Sequence, residues 1–170
     1  FGEASSNSVR VYQNNNGSWS QLGSTIYGEA SGDYFGIEIS LSDDGDVLAV
    51  GAIYNDGNGA DSGSVRIYRL NNQSWVQIGN EINGESANDW LGYSVDLSSD
   101  GDTVVIGATG VGSTGQVQVW RNVEDSWEKI GNNILGIGVG DFGKSVAISA
   151  DGTIIASASR ADPTPGDPDD

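Results

Sequence analysis

"DYFGIEISLSDDGDVLAVGA" occupies Asp33–Ala52, and the chain nearly repeats it as "DWLGYSVDLSSDGDTVVIGA" over Asp89–Ala108 and as "DFGKSVAISADGTIIASAS" over Asp141–Ser159. Gly36, Gly92 and Gly143 are 56 and 51 residues apart, and the pairs Asp44-Gly45, Asp100-Gly101 and Asp151-Gly152 keep the same spacing. Trp19, Trp75 and Trp127 follow a parallel register, as do Tyr12, Tyr68 and Trp120. Several independent landmarks in one register mark an internal repeat. A catalytic constellation is rarely written three times in one chain, whereas a structural unit that must stack on copies of itself is.

Each unit reads as four short strands. The first is Ile37–Leu41, Tyr93–Leu97 or Lys144–Ile148. An Asp-Gly turn follows, the strongest short hairpin signal, because glycine accepts the positive φ of a tight turn. The second strand, "VLAVGA", "TVVIGA" or "TIIASA", is apolar at consecutive positions, as expected of a strand covered on both faces. The third is Ser8–Tyr12, Ser64–Tyr68 or Gln116–Trp120, and the fourth begins at "SW" in "SWSQLG", "SWVQIG" and "SWEKIG". Glycine and asparagine interrupt every candidate helix. The fold class predicted is all-β, a β-propeller of four-stranded antiparallel blades of about 51–56 residues. A β-solenoid and a Greek-key sandwich are the alternatives.

The pairs Phe35-Gly36 and Gly51-Ala52, Leu91-Gly92 and Gly107-Ala108, Phe142-Gly143 and Ser157-Ala158 resemble the FG-GAP repeat, which builds the β-propeller of integrin α-subunits and of many microbial surface proteins. The chain departs from that signature where its proline is replaced by Ile53, Thr109 and Ser159. The divisions expected are a partial blade 1–27, a blade 33–83, a blade 89–135, a half blade 141–160 and an acidic, proline-rich tail or linker 161–170. The two incomplete units could zip together, but three blades are too few for a usual ring of four to eight. Part of a larger propeller is therefore expected, and a dimer completing six blades is the alternative. "GEAS" at Gly2–Ser5 recurs at Gly28–Ser31, half a unit on, which fits the same reading. A start at Phe1 and the lack of any Met lead us to expect the true N-terminus elsewhere.

A net charge of −17 repels phosphate backbones and anionic lipid, so nucleic acid is not an expected partner. There is no apolar run of membrane-spanning length, and membrane insertion is not expected. The chain has no Cys and no His, which removes disulfides, thiol chemistry and imidazole catalysis from these residues. No sequence feature marks a catalytic carboxylate pair. A non-enzymatic protein is expected.

The loop "YNDGNGADSG" (Tyr54–Gly63) offers oxygen ligands in Asp56, Asn58 and Asp61 on a glycine-rich curl, which makes them candidate Ca²⁺ ligands. A solvated Asx/Gly loop is the competing reading. The resemblance implies calcium loops, but between the first and second strands, where "SDDGDV" is too short to wrap an ion. The acids of that segment and of its counterpart at Asp100 and Asp102 read as turn residues. Asp33, Asp89 and Asp141 are expected to accept hydrogen bonds from backbone amides where the first strand begins. "NGS" at Asn16 and "NQS" at Asn72 are candidate glycosylation sites in the turns between third and fourth strands. Trp19, Trp75 and Trp127 read as packing between blades, while Tyr34, Tyr54, Trp90 and Tyr93 are candidates for a loop-borne binding face.

The function expected is a non-catalytic adhesion module at the cell surface or outside the cell, binding protein or glycan. Other blades or subunits completing the propeller are further candidate partners. An architectural subunit of an extracytoplasmic assembly is the first alternative, and a propeller domain of a secreted hydrolase the second.

Overall fold

The computed structural model describes residues 7–160, and the expected tail 161–170 and the "GEAS" of Gly2–Ser5 lie outside them. Fourteen strands and no helix occupy the described residues. Strands β3 (Ile39–Leu41), β4 (Val47–Ala52), β5 (Ser64–Asn71) and β6 (Ser74–Gln77) form one antiparallel meander, with β7 (Ile82–Asn83) paired to β5. Strands β8 (Leu91–Leu97), β9 (Thr103–Ala108), β10 (Gln116–Val123) and β11 (Ser126–Lys129) repeat it, with β12 (Ile134–Leu135) paired to β10. Two-stranded sheets stand beside these blades: β1 (Ser8–Asn15) with β2 (Ser18–Tyr27), and β13 (Ser145–Ile148) with β14 (Ile155–Ala158). They are separate sheets, so the two incomplete units do not zip into one.

The blades lean on one another face to face, which is propeller packing and not a sandwich or a solenoid. Leu48, Val50 and Ala52 of β4 join Val9, Val11 and Ile26 of the β1–β2 hairpin in one core. Val47 and Ala49, alternating with them along β4, join Leu91, Val104 and Ile106 of the next blade in the other. Side chains alternate across a strand, so consecutive apolar residues are required of a strand buried on both faces. All six residues of β4 and of β9 are buried.

The first and fourth strands differ from expectation. The first begins at Ile39 in place of Ile37, after Gly36 (φ 88°), but in the next blade at Leu91, ahead of Tyr93, where a register shift between Leu91 and Ser94 takes up Gly92. Gly92 and Gly143 have φ 90° at the same place. The fourth strand breaks at Gly79 (φ 68°) and Gly131 (φ 69°), which detaches β7 and β12 as short continuations. In β2 the chain stays continuous, and the register shifts around Gly23 instead. The third strands run three residues beyond the expected ends, into hairpin turns at Asn16-Gly17, Asn72-Gln73 and Glu124-Asp125. Both central residues of each turn have positive φ, which matches the twist of a two-residue hairpin.

The Asp-Gly turns are built identically three times. Ser42, Ser98 and Ser149 donate through Oγ to Oδ1 of Asp44, Asp100 and Asp151 at 2.6 Å. Each carboxylate also accepts the N–H two residues on, at Asp46, Asp102 and Thr153. The acids are turn formers, as their residue types indicated. The serine and backbone donors hold all three carboxyls below the usual carboxylate range.

Two outcomes follow. A Cβ on Gly107 would overlap the carbonyl of Gly143, so Gly107→Ala lowers stability by about 3 kcal/mol in urea unfolding, whereas Gly32→Ala, in open space, stays within about 0.5 kcal/mol. A depressed folded pKa gives stability above the unfolded value near ~4 that is lost as pH falls through the folded value. The Tm is therefore flat at neutral pH and drops in acid, and Asp100→Asn shallows that acid limb in a pH series of thermal melts.

Candidate functional site

Antiparallel connectivity puts two sets of connections on one face: the loops from second to third strand, and those that lead from one blade into the next. Tyr54 lies in the first kind, Tyr34 and Trp90 in the second. Their rings meet edge to face. Tyr34 and Tyr54 are 4.9 Å apart between centroids, and Tyr54 and Trp90 are 6.5 Å apart. Tyr34 (φ 56°) and Trp90 (φ 54°) hold left-handed backbone, which is strained for a bulky residue. The strip thus spans the joint between two blades, with Tyr34 half exposed. Tyr93 stands apart from these ring contacts, inside β8.

Polar groups flank the strip. Asp33 Oδ2 accepts Asn55 Nδ2 at 3.2 Å, so here a side-chain amide takes the place of the expected backbone donor. Asp89 Oδ2 does accept a backbone amide, from Ser86 at 2.8 Å, and Asp141 Oδ1 accepts that of Arg160 at 2.6 Å. Burial raises the Asp141 carboxyl, but Lys144 Nζ and the Arg160 amide outweigh it and hold it low. Trp90 Nε1, Thr109 Oγ1 and Asn83 Oδ1 are buried without a hydrogen-bond partner. An open cleft of about 300 Å³ beside Asp33 is lined by Glu29, Asn55, Asp56 and Gly57.

Two of the candidate calcium residues, Asp56 and Asn58, bond to backbone groups. Asp56 Oδ1 accepts the Asp61 N–H at 2.9 Å, which holds Asp61 at φ 53°. Asn58 turns its amide nitrogen, at 2.8 and 3.2 Å, toward the carbonyls of Gly84 and Glu85. Among the described residues no three acidic side chains gather as a metal site. Asn16 and Asn72 are exposed at the hairpin tips. Those tips lie on the face opposite the aromatic strip, so a glycan there leaves the strip clear.

The repeated tryptophans divide by position. Trp75 Nε1 donates to Leu22 O and Trp127 Nε1 to Ile78 O, each at 3.0 Å across a joint, with both rings buried. Trp19, the same residue in β2, is 69% exposed. Sequence reasoning had no means of separating the three, because the difference lies in whether another blade stands in front.

Residues 27–68 match the FG-GAP repeat family. That segment, about a quarter of the chain, is similar to one FG-GAP repeat. The match takes in Phe35-Gly36 and Gly51-Ala52, and the fold around it is that of a β-propeller. No curated protein matches the chain significantly. Among solved structures it is similar to the periplasmic gluconolactonase PpgL of Pseudomonas aeruginosa, with a TM-score of 0.57 and 18% identity over 91% of this chain and 44% of that one. TolB from Acinetobacter baumannii matches with a TM-score of 0.47 and 17% identity, over 87% and 31%. The chain spans less than half the length of either structure, and what it shares with PpgL is the fold. No helix among the described residues is long and apolar enough to cross a membrane.

The tryptophan contrast gives a measurable outcome. Trp127→Phe removes one cross-blade hydrogen bond and lowers stability by about 1–2 kcal/mol in denaturant melts, while Trp19→Phe changes it by less than about 0.5 kcal/mol.

Proposed function

We propose that this FG-GAP repeat chain is a non-catalytic binding module, extracellular or at the cell surface, that takes a protein or glycan ligand on its loop face. The observation that carries the reading is the aromatic strip Tyr34–Tyr54–Trp90, which crosses a blade joint on strained backbone. Aromatic rings offer a large apolar face at small conformational cost, and ligand sites combine such faces with a few fixed polar groups. Asp33 and Asn55, which line the cleft beside the strip, are the polar groups at hand. The net charge of −17 favours neutral or cationic ligands over anionic ones. Calcium is not required by this reading.

The architectural alternative has its own observation. The outward faces of the two half blades expose large apolar residues, Tyr12, Trp19 and Tyr27 at one end and Ile154 at the other. Large exposed apolar residues at the two ends of the blade stack favour contact with another protein or blade. A hydrolase reading gains nothing from the gluconolactonase, whose likeness is one of fold.

A glycan array and a panel of extracellular matrix proteins, probed with the purified chain, test the binding reading. Tyr34→Ala weakens the best binder at least tenfold with an unchanged Tm. Undiminished binding by Tyr34→Ala, or an empty array and panel, overturns the reading in favour of the architectural one.

A further inference from the structure

The loops that lead from one blade into the next share a fixed point. The N–H groups of Gly28, Gly84 and Gly136 donate to the carbonyls of Asn7, Gly63 and Gly115, which makes the three glycines structural equivalents. The residue after each is Glu29, Glu85 or Ile137. At the first joint Glu29 Oε2 lies 3.6 Å from Arg66 Nη2 on β5, whose Nε is bound by Glu81 at 2.8 Å. At the second joint Glu85 Oε1 takes Lys129 Nζ of β11 at 2.7 Å. Gln118 stands on β10 at the register of Arg66 on β5, and its Nε2 is 3.4 Å from the same carboxylate. In both joints a carboxylate from the incoming loop lies beside a cation on the outer half of the blade it enters, at ion-pair distance in the first and hydrogen-bonded in the second. The cation changes strand; the pairing is kept.

The third joint breaks the pattern. Ile137 stands where the glutamates do, is 101% exposed, and is followed by Val139 at 68%. Among the described residues the strand beyond it, β14, is hydrogen-bonded along one edge only, to β13. By the pattern of the other two joints, Ile137 faces the outer hairpin that would pair with this edge. The β1–β2 hairpin of a second copy of this chain is one such hairpin, but it carries Arg10 in "SVRVY" where β5 carries Arg66 in "SVRIY". Docked there, it would bury a guanidinium against isoleucine with no carboxylate from the loop, which is costly.

We propose that the open edge of β14 takes the outer hairpin of a further FG-GAP-type blade whose third strand carries an apolar side chain at the Arg66 and Gln118 position. Ile137 selects that hairpin and rejects the β1–β2 hairpin of a second copy. The joint between blades therefore pairs an acidic loop with a hairpin that offers a cation, and an apolar loop with an apolar hairpin.

The test appends a copy of residues 116–135 after Asp170, with Lys129→Gln in the copy to remove the cation that pairs with Glu85 in the second joint. One version carries Gln118→Ile in the copy and a second carries Gln118→Arg, each with Ile137 intact and with Ile137→Glu. With Ile137 intact, the Gln118→Ile hairpin raises Tm by about 3 °C or more over the parent chain and exceeds the Gln118→Arg hairpin. In the Ile137→Glu background the order reverses, and light scattering finds the parent chain monomeric. The same order in both backgrounds, no rise with either hairpin, or a head-to-tail dimer of the parent chain overturns the proposal.

Discussion

Backbone meets backbone wherever one blade turns toward the next. Gly92 lies with its Cα close to that of Gly51, and Gly143 stands in the same relation to Gly107. Each partner must lack a Cβ, since a methyl on either side would occupy the space of a carbonyl. The glycines of the first strands must also hold φ near 90°, which L side chains rarely adopt. Around this contact Ser94 Oγ donates to Gly143 O at 2.7 Å, and the Leu91 and Phe142 N–H groups reach the carbonyls of Ser62 and Thr114. The Phe-Gly and Gly-Ala pairs of the repeat are thus two halves of one joint, written at distant points of the sequence.

Fixing that approach brings the sheets together along their length. It sets Val47 and Ala49 against Leu91 and Ile106, and it lets Trp127 reach the carbonyl of Ile78. Near the inner edge, Asp96 links three units at once: its Oδ1 accepts Ser40 Oγ and its Oδ2 accepts the Ile148 amide, at 3.1 and 2.9 Å. A half-buried carboxylate is tolerated because its oxygens are used, one toward each neighbour. The outer edge relies on charge, through Arg66 with Glu81 and Glu29, and through Lys129 with Glu85. Burial lowers the Arg66 guanidinium pKa, but Glu81 more than offsets it, and Lys129 draws the Glu85 carboxyl down.

This division of labour separates fold from function on the surface. Structural demands take up the Asp-Gly turns and the second strands, where Asp44, Asp100 and Asp151 are committed to serine and amide donors. The loop face is less constrained. Tyr54 has Gly110 as its counterpart in the next blade, and Trp90 replaces Tyr34, so the aromatic strip exists at one joint only. The proposed binding reading rests on this strip because it is a property that the repeat itself does not need.

Much of the architecture was legible in the sequence. Strand periodicity, the Asp-Gly turns, the doubly apolar second strand and the recurrence of glycine specify four-stranded blades, because each reports a local requirement on φ or on which face is buried. The breaks at Gly79 and Gly131 were not, since a glycine's sign of φ is chosen by the strand it must pair with. Only the tertiary structure decided that Tyr34, Tyr54 and Trp90 touch while Tyr93 does not, that Asn58 faces two carbonyls, and that Trp19 is bare where Trp75 and Trp127 are covered. These facts depend on which blade stands beside which, and a linear repeat states what each unit is without stating what it leans on.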